Sequence, residues 1–180
     1  MDATQGVPMR CLVVDDDETC RKFVIRVMER ISDCDIALTG KEAIEMVTKS
    51  FGTGELYDVI FLDIMMPVMD GKQALSAIRT LERRAGLQDG WGAKIVMTTA
   101  MGDYDTVRHS FHNQCDGYLV KPLSISRMEA LLRNLKVLGP NVSLRRNEDG
   151  ESSVATPRDA GMISRTKNMA TPRPGDPETT

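Results

Sequence analysis

The sequence predicts an α/β domain built on a five-stranded parallel sheet with helices on both faces. Three observations carry that expectation. Five short apolar runs rich in β-branched and aromatic residues alternate with five stretches of helical periodicity. The connections between them are short, which implies right-handed crossovers and parallel pairing. Four of the five runs end in a polar or charged side chain, at the sheet edge where parallel α/β folds place ligands and chemistry.

The first run is Cys11–Val14, ending in Asp15-Asp16-Asp17. A helix follows, in which Phe23, Val27, Met28 and Ile31 recur at helical spacing and Arg21, Lys22, Arg26 and Arg30 fill the polar positions. Ile36–Leu38 reads as a brief second strand. Thr39 and Glu42 have the form of a capping box for a second helix, whose apolar stripe is Ala43, Ile44, Val47 and Phe51. Val59–Leu62 is the third strand and delivers Asp63. Pro67 and Asp70-Gly71 force a loop after it, with Asp70 read as a loop residue. The third helix turns Ala74, Leu75, Ile78 and Leu81 inward and ends at Arg83-Arg84, which suits its dipole. A turn-rich connection leads to the fourth strand, Lys94–Thr98, ending at Thr98-Thr99-Ala100. Asp103–Gln114 fits a polar fourth helix with Val107 and Phe111 on one side. Gly117–Val120 is the fifth strand and ends at Lys121-Pro122. Ser126 and Glu129 suggest a capping box for the last helix, marked by Met128, Leu131, Leu132, Leu135 and Leu138.

The domain is expected over 9–138, between a loose leader at 1–8 and a disordered tail at 139–180. From Pro140 onward there is no aromatic residue, five of the eight prolines are present, and six acidic residues meet six basic ones. Such a segment buries too little area to offset its ordering entropy. A net charge of -3 favours neither nucleic acid nor an anionic membrane as partner. No apolar run reaches transmembrane length and the N-terminus lacks a signal-peptide core. Four cysteines without CxxC or metal-ligand spacing point to a reduced, cytoplasmic location and to packing roles.

In a parallel sheet all these strand ends share one edge, so Asp15, Asp16, Asp63, Thr99 and Lys121 converge. Carboxylates about 4 Å apart repel by roughly 4 kcal/mol per pair at an effective dielectric near 20. Raised pKa values or a hard divalent cation relieve this. Oxygen ligands without His or Cys favour Mg2+, which also binds substrate phosphate. Mg2+, Lys121 and the Thr99 hydroxyl around a carboxylate suit the charge of a transferring phosphoryl group, and the carboxylate itself can be the nucleophile.

The motifs VVDDD, FLDIMMPVMDG, MTTA and YLVKP stand in this order on these elements. Together they resemble the receiver (CheY-like) domain of two-component response regulators over about residues 9–138. The resemblance implies a flavodoxin-like (βα)5 fold with strand order 2-1-3-4-5. It implies Asp63 as phosphoacceptor, Mg2+ bound directly by Asp16, Asp63 and the Met65 carbonyl, and Asp15 acting through water. Thr99 and Lys121 would contact the phosphoryl oxygens, Thr99 and Tyr118 would form the switch, and Lys121-Pro122 would be cis. The implied donor is a sensor histidine kinase. The implied output is a change in protein–protein contacts through the fourth helix, fifth strand and fifth helix, residues 103–138, in a stand-alone regulator that is not an enzyme. Its downstream partner is either an effector protein or a histidine phosphotransfer protein, the second making the chain a relay carrier, and with neither partner the chain is a phosphate sink. Met65 and Met101 depart from the polar residues that position an attacking water in this family, so slow self-dephosphorylation is expected. A competing reading takes Asp15–Thr19 as the DxDxT motif of haloacid-dehalogenase-like phosphatases, with Asp15 the nucleophile and Asp17 the general acid. It leaves LDIMMP and LVKP without a role.

Overall fold

Buried strands separated by amphipathic helices assemble, in a computed structural model, into one parallel sheet of order β2-β1-β3-β4-β5. The structure describes residues 9–88, 90–100, 114–139 and 142–144. The strands are β1 (Met9–Val14), β2 (Ser32–Ala37), β3 (Val59–Asp63), β4 (Lys94–Thr99) and β5 (Gly117–Val120). The described helices are α1 (Glu18–Met28), α2 (Gly40–Thr53), α3 (Gly71–Arg84) and a last one at Ile125–Asn134. The helix expected over 103–114, with Val107 and Phe111, lies almost wholly outside the described residues, as do Met101, the leader and residues 145–180.

Alternation along the strands divides the core in two. Leu12, Val14, Ile60, Leu62, Ile95 and Met97 pack on one face against Ala43, Val47, Ala74, Leu75 and Ile78 of α2 and α3. Cys11, Val13, Val59, Phe61 and Val96 pack on the other against Val24, Val27 and Met28 of α1 and Met128 and Leu132 of the last helix. All five residues of the central β3 are buried, as expected for a strand covered on both faces. Each such aliphatic side chain contributes about 2 kcal/mol of transfer free energy.

Four local expectations are corrected or refined. The second strand begins at Ser32, not Ile36. It is an edge strand, so polar Asp33 and Asp35 are tolerated on it and its sequence lacks an apolar run. The cap of the last helix is Ser124, whose hydroxyl accepts from the Arg127 N–H, rather than Ser126. Asp70 is the N-cap of α3 in a reciprocal capping box with Gln73. The Thr39 cap is present, but Glu42 reaches back to the Leu38 N–H instead of to Thr39.

The packed chain also runs past residue 138. Val142 and Leu144 are buried in the second-face core. Arg133 donates to the carbonyls of Gly139 and Val142, and Arg30 donates to that of Leu144. The connection between α3 and β4 is tied down in a similar way. The buried Glu82 carboxylate accepts from the Ala93 N–H at 2.8 Å and pairs with Arg79, which also pairs with Asp116.

Candidate functional site

Four strand ends build the site. β1 hands over directly to Asp15 and Asp16, β3 closes on Asp63, β4 closes on Thr98 and Thr99, and β5 leads into Lys121. Carboxylate oxygens of Asp15, Asp16 and Asp63 lie within 4.8 Å of one another. Asp15 and Asp63 are buried and Asp16 is exposed, so the cluster opens to solvent on the Asp16 side. The Lys121 ammonium bridges the buried pair, 2.9 Å from Asp15 Oδ2 and 3.0 Å from Asp63 Oδ1. The Lys121–Pro122 peptide is cis.

Backbone contacts hold these groups in place. The Asp15 carboxylate accepts from the Asp17 N–H at 2.9 Å, and its carbonyl accepts from Arg21 at 2.8 Å. The Lys121 N–H donates to the Thr99 carbonyl at 2.7 Å. Beyond Asp63, the Ile64 N–H donates to the Thr98 carbonyl and the Gly71 N–H donates back to the Ile64 carbonyl. Gly71 is required there, because a Cβ at that position would collide with the Asp63 carbonyl oxygen.

Burial pushes the Asp63 carboxyl above its usual range, and the charges of Asp15 and Asp16 add to the effect while Lys121 opposes it. For Lys121, burial pulls the ammonium down, but hydrogen bonds to Asp15 and Asp63 outweigh it and hold the group protonated. Asp17 caps α1, accepting from the Thr19 N–H at 2.8 Å, and that bond lowers its pKa. Its carboxylate is thus engaged with the helix, which does not suit the general acid of the phosphatase reading.

Strand parity sorts the remaining residues. Asp15, Asp63, Thr98 and Lys121 continue the alternation of the second face. Thr98 is the register partner of Asp63, and its hydroxyl is 3.4 Å from Asp63 Oδ1. The sequence prediction passed over this residue, although counting alternate positions from Val96 would have found it. Thr99 carries the opposite parity. Its buried hydroxyl donates to the Ala100 carbonyl at 3.2 Å, and Tyr118, of the same parity in β5, packs half-buried against the first-face core. Met65 is exposed beside the site, and Val68 in the same loop is 96% exposed with a left-handed φ of 71°.

A parallel sheet of this order with three carboxylates and a lysine at its carboxyl edge defines a receiver. The response regulator receiver domain model matches residues 11–133, and the chain belongs to that family. Among its relatives is the osmosensing histidine protein kinase SLN1 of Saccharomyces cerevisiae, 28% identical over 126 residues, which are 69% of this chain and 10% of SLN1. The probable methanogenesis regulatory protein FilR2 of Methanothrix harundinacea is 28% identical over 133 residues, covering 72% of this chain and 82% of that protein. The chain therefore spans a tenth of the first relative and most of the second. Among solved structures, the receiver domain of the Arabidopsis thaliana histidine kinase CKI1, complexed with Mg2+ and BeF3-, is 26% identical with a TM-score of 0.59. That match covers 71% of this chain and 89% of that one. Membership displaces the phosphatase reading, because LDIMMP and LVKP are parts of the matched domain. Among the described residues, no helix is long and apolar enough to cross a membrane.

Proposed function

We propose that this receiver accepts a phosphoryl group on Asp63 from a sensor histidine kinase, in a Mg2+-dependent reaction, and that the modification changes its protein–protein contacts. The observation that carries the proposal is the Lys121 ammonium shared between Asp15 and Asp63 beside the exposed Asp16. An Asp63 carboxylate oxygen attacks phosphorus as the phosphorus–nitrogen bond to the donor histidine breaks, leaving an aspartyl phosphate. Lys121 then balances charge on the phosphoryl oxygens, and Thr99 contributes its hydroxyl once it leaves the Ala100 carbonyl.

The donor set fits a hard cation: three close carboxylates and no His or Cys among them. Asp16, Asp63 and the Met65 carbonyl would hold Mg2+ directly and Asp15 through water. The likeness to the CKI1 receiver, solved with Mg2+, supports that choice. When bound, the ion neutralises charge on the transferring phosphoryl group. Thr99 and Tyr118, which share one parity, would couple the phosphorylated site to the first face and bias a two-state equilibrium that a partner reads. Met65 and Met101 bring no polar side chain to orient an attacking water, so the phosphorylated form is long-lived.

Intact-mass analysis after incubation with Mg2+ and acetyl phosphate tests the proposal. One added phosphoryl group, absent without Mg2+ and absent in Asp63→Asn, is expected. Label that persists in Asp63→Asn would reject it, and loss of label within seconds would reject the long lifetime. Transfer from Asp63 to a histidine phosphotransfer protein, rather than capture of a partner, would identify the chain as a carrier.

A further inference from the structure

We infer that Cys11 and Cys34 form a reversible redox modification site, closed to a disulfide by a small peroxide. Cys11 in β1 and Cys34 in β2 are direct register partners in adjacent parallel strands. Direct partners in neighbouring strands sit roughly 4.8 Å apart, inside the Cα separation that a disulfide spans. Both side chains lie on the second face of the sheet, side by side by register.

The two thiols are unequal in the way an attacking and a resolving cysteine must be. Cys11 is fully buried. Cys34 is half-buried on the edge strand, which gives a small oxidant access from the open side of the sheet. Ser32 Oγ, whose hydroxyl donates to the Met28 carbonyl at 3.0 Å, lies 3.5 Å from Cys34 Sγ. The adjacent Cys11 thiol lowers the pKa of the Cys34 thiol from its ordinary value against the effect of partial burial, whereas burial raises that of Cys11 and keeps it protonated. Cys20 and Cys115 lie outside this pair, on α1 and just before β5 respectively.

The chemistry balances with hydrogen peroxide as the named oxidant. The Cys34 thiolate attacks one peroxide oxygen, the O–O bond breaks, and a sulfenic acid and hydroxide form. The Cys11 sulfur then attacks the Cys34 sulfur, the S–O bond breaks, and the Cys11 proton leaves with the departing oxygen as water. Two thiols lose two electrons and two protons, and one peroxide becomes two waters. A bridge between adjacent strands is geometrically constrained, which places it among the readily reduced, labile disulfides.

The test uses the full chain, reduced and then exposed to graded hydrogen peroxide. Free thiols are blocked with iodoacetamide and unreduced digests are mapped by mass spectrometry. A linked Cys11–Cys34 peptide is expected, two hydrogens lighter than its parts, restored by dithiothreitol and formed equally in a Cys20→Ser/Cys115→Ser chain. Before oxidation, iodoacetamide should label Cys34 well ahead of Cys11. In Cys11→Ser, Cys34 should stop at a sulfenic acid trapped by dimedone. Bridges from Cys34 to Cys20 or Cys115 would overturn the assignment. So would Cys34 driven to sulfinic acid in the native chain while Cys11 remains a free thiol.

Discussion

Asp63→Asn should make the metal-free protein more stable, because the charge that serves the site opposes the fold. Asp63 is 4% exposed, and its oxygens lie within 4.8 Å of those of both Asp15 and Asp16. At an effective dielectric near 20, each of those neighbours repels it by at least about 3.5 kcal/mol. The Lys121 ammonium at 3.0 Å returns about 5.5 kcal/mol. Repulsion therefore exceeds attraction by about 1 to 2 kcal/mol, before any cost of burying the charge. The direction agrees with the raised Asp63 pKa: the folded state binds the proton more tightly than the unfolded chain, so ionisation at neutral pH lowers stability. Asparagine keeps the shape and one acceptor for Thr98 while removing the charge. Urea unfolding in EDTA at pH 7 should show the variant more stable by about 1 to 2 kcal/mol. Saturating Mg2+ should stabilise wild type and reverse the order, since the variant has lost a ligand. A variant less stable than wild type in EDTA, or one whose advantage survives Mg2+ unchanged, would refute the electrostatic reasoning.

Other perturbations probe the frame around the site. Gly71→Ala drives a methyl into the Asp63 carbonyl oxygen and should cost about 2 to 3 kcal/mol in urea unfolding, with acetyl phosphate labelling slowed. Val68→Gly relieves a β-branched residue at φ 71° that packs on nothing, and should raise stability by about 1 kcal/mol, seen as a higher urea midpoint. Burial, and then its hydrogen bond to Asp35, raise the Tyr57 pKa, so above about pH 10 the unfolded chain ionises this phenol before the folded one does. Stability then falls by up to about 1.4 kcal/mol per pH unit on this account, and Tyr57→Phe should flatten the alkaline limb of a stability–pH curve.

The central strands and their four polar or charged ends were legible because burial on both faces leaves continuous apolar runs, and because each chemical group follows one directly. β2 was half hidden, since an edge strand carries Asp33 and Asp35 where a central strand carries valine. Thr98 was missed beside Thr99 because a pair of identical residues conceals which one faces Asp63 unless the alternation is counted from Val96, a count with which the pairing register agrees. Val142 and Leu144 were lost in a polar stretch. Two apolar residues have no period, and their burial depends on Arg133 and Arg30 capturing backbone carbonyls from distant positions. The caps at Asp70 and Ser124 show how several acceptors within reach of a helix start make its first residue ambiguous.

The central claim is that the phosphoryl group resides on Asp63, and the most direct measurement locates the covalent bond itself. The protein is phosphorylated with Mg2+ and acetyl phosphate, reduced with borohydride, digested and sequenced by tandem mass spectrometry. An aspartyl phosphate at position 63 predicts conversion of that residue, and of no other, to homoserine. Conversion at Asp15 or Asp16, with Asp63 intact, would contradict the account.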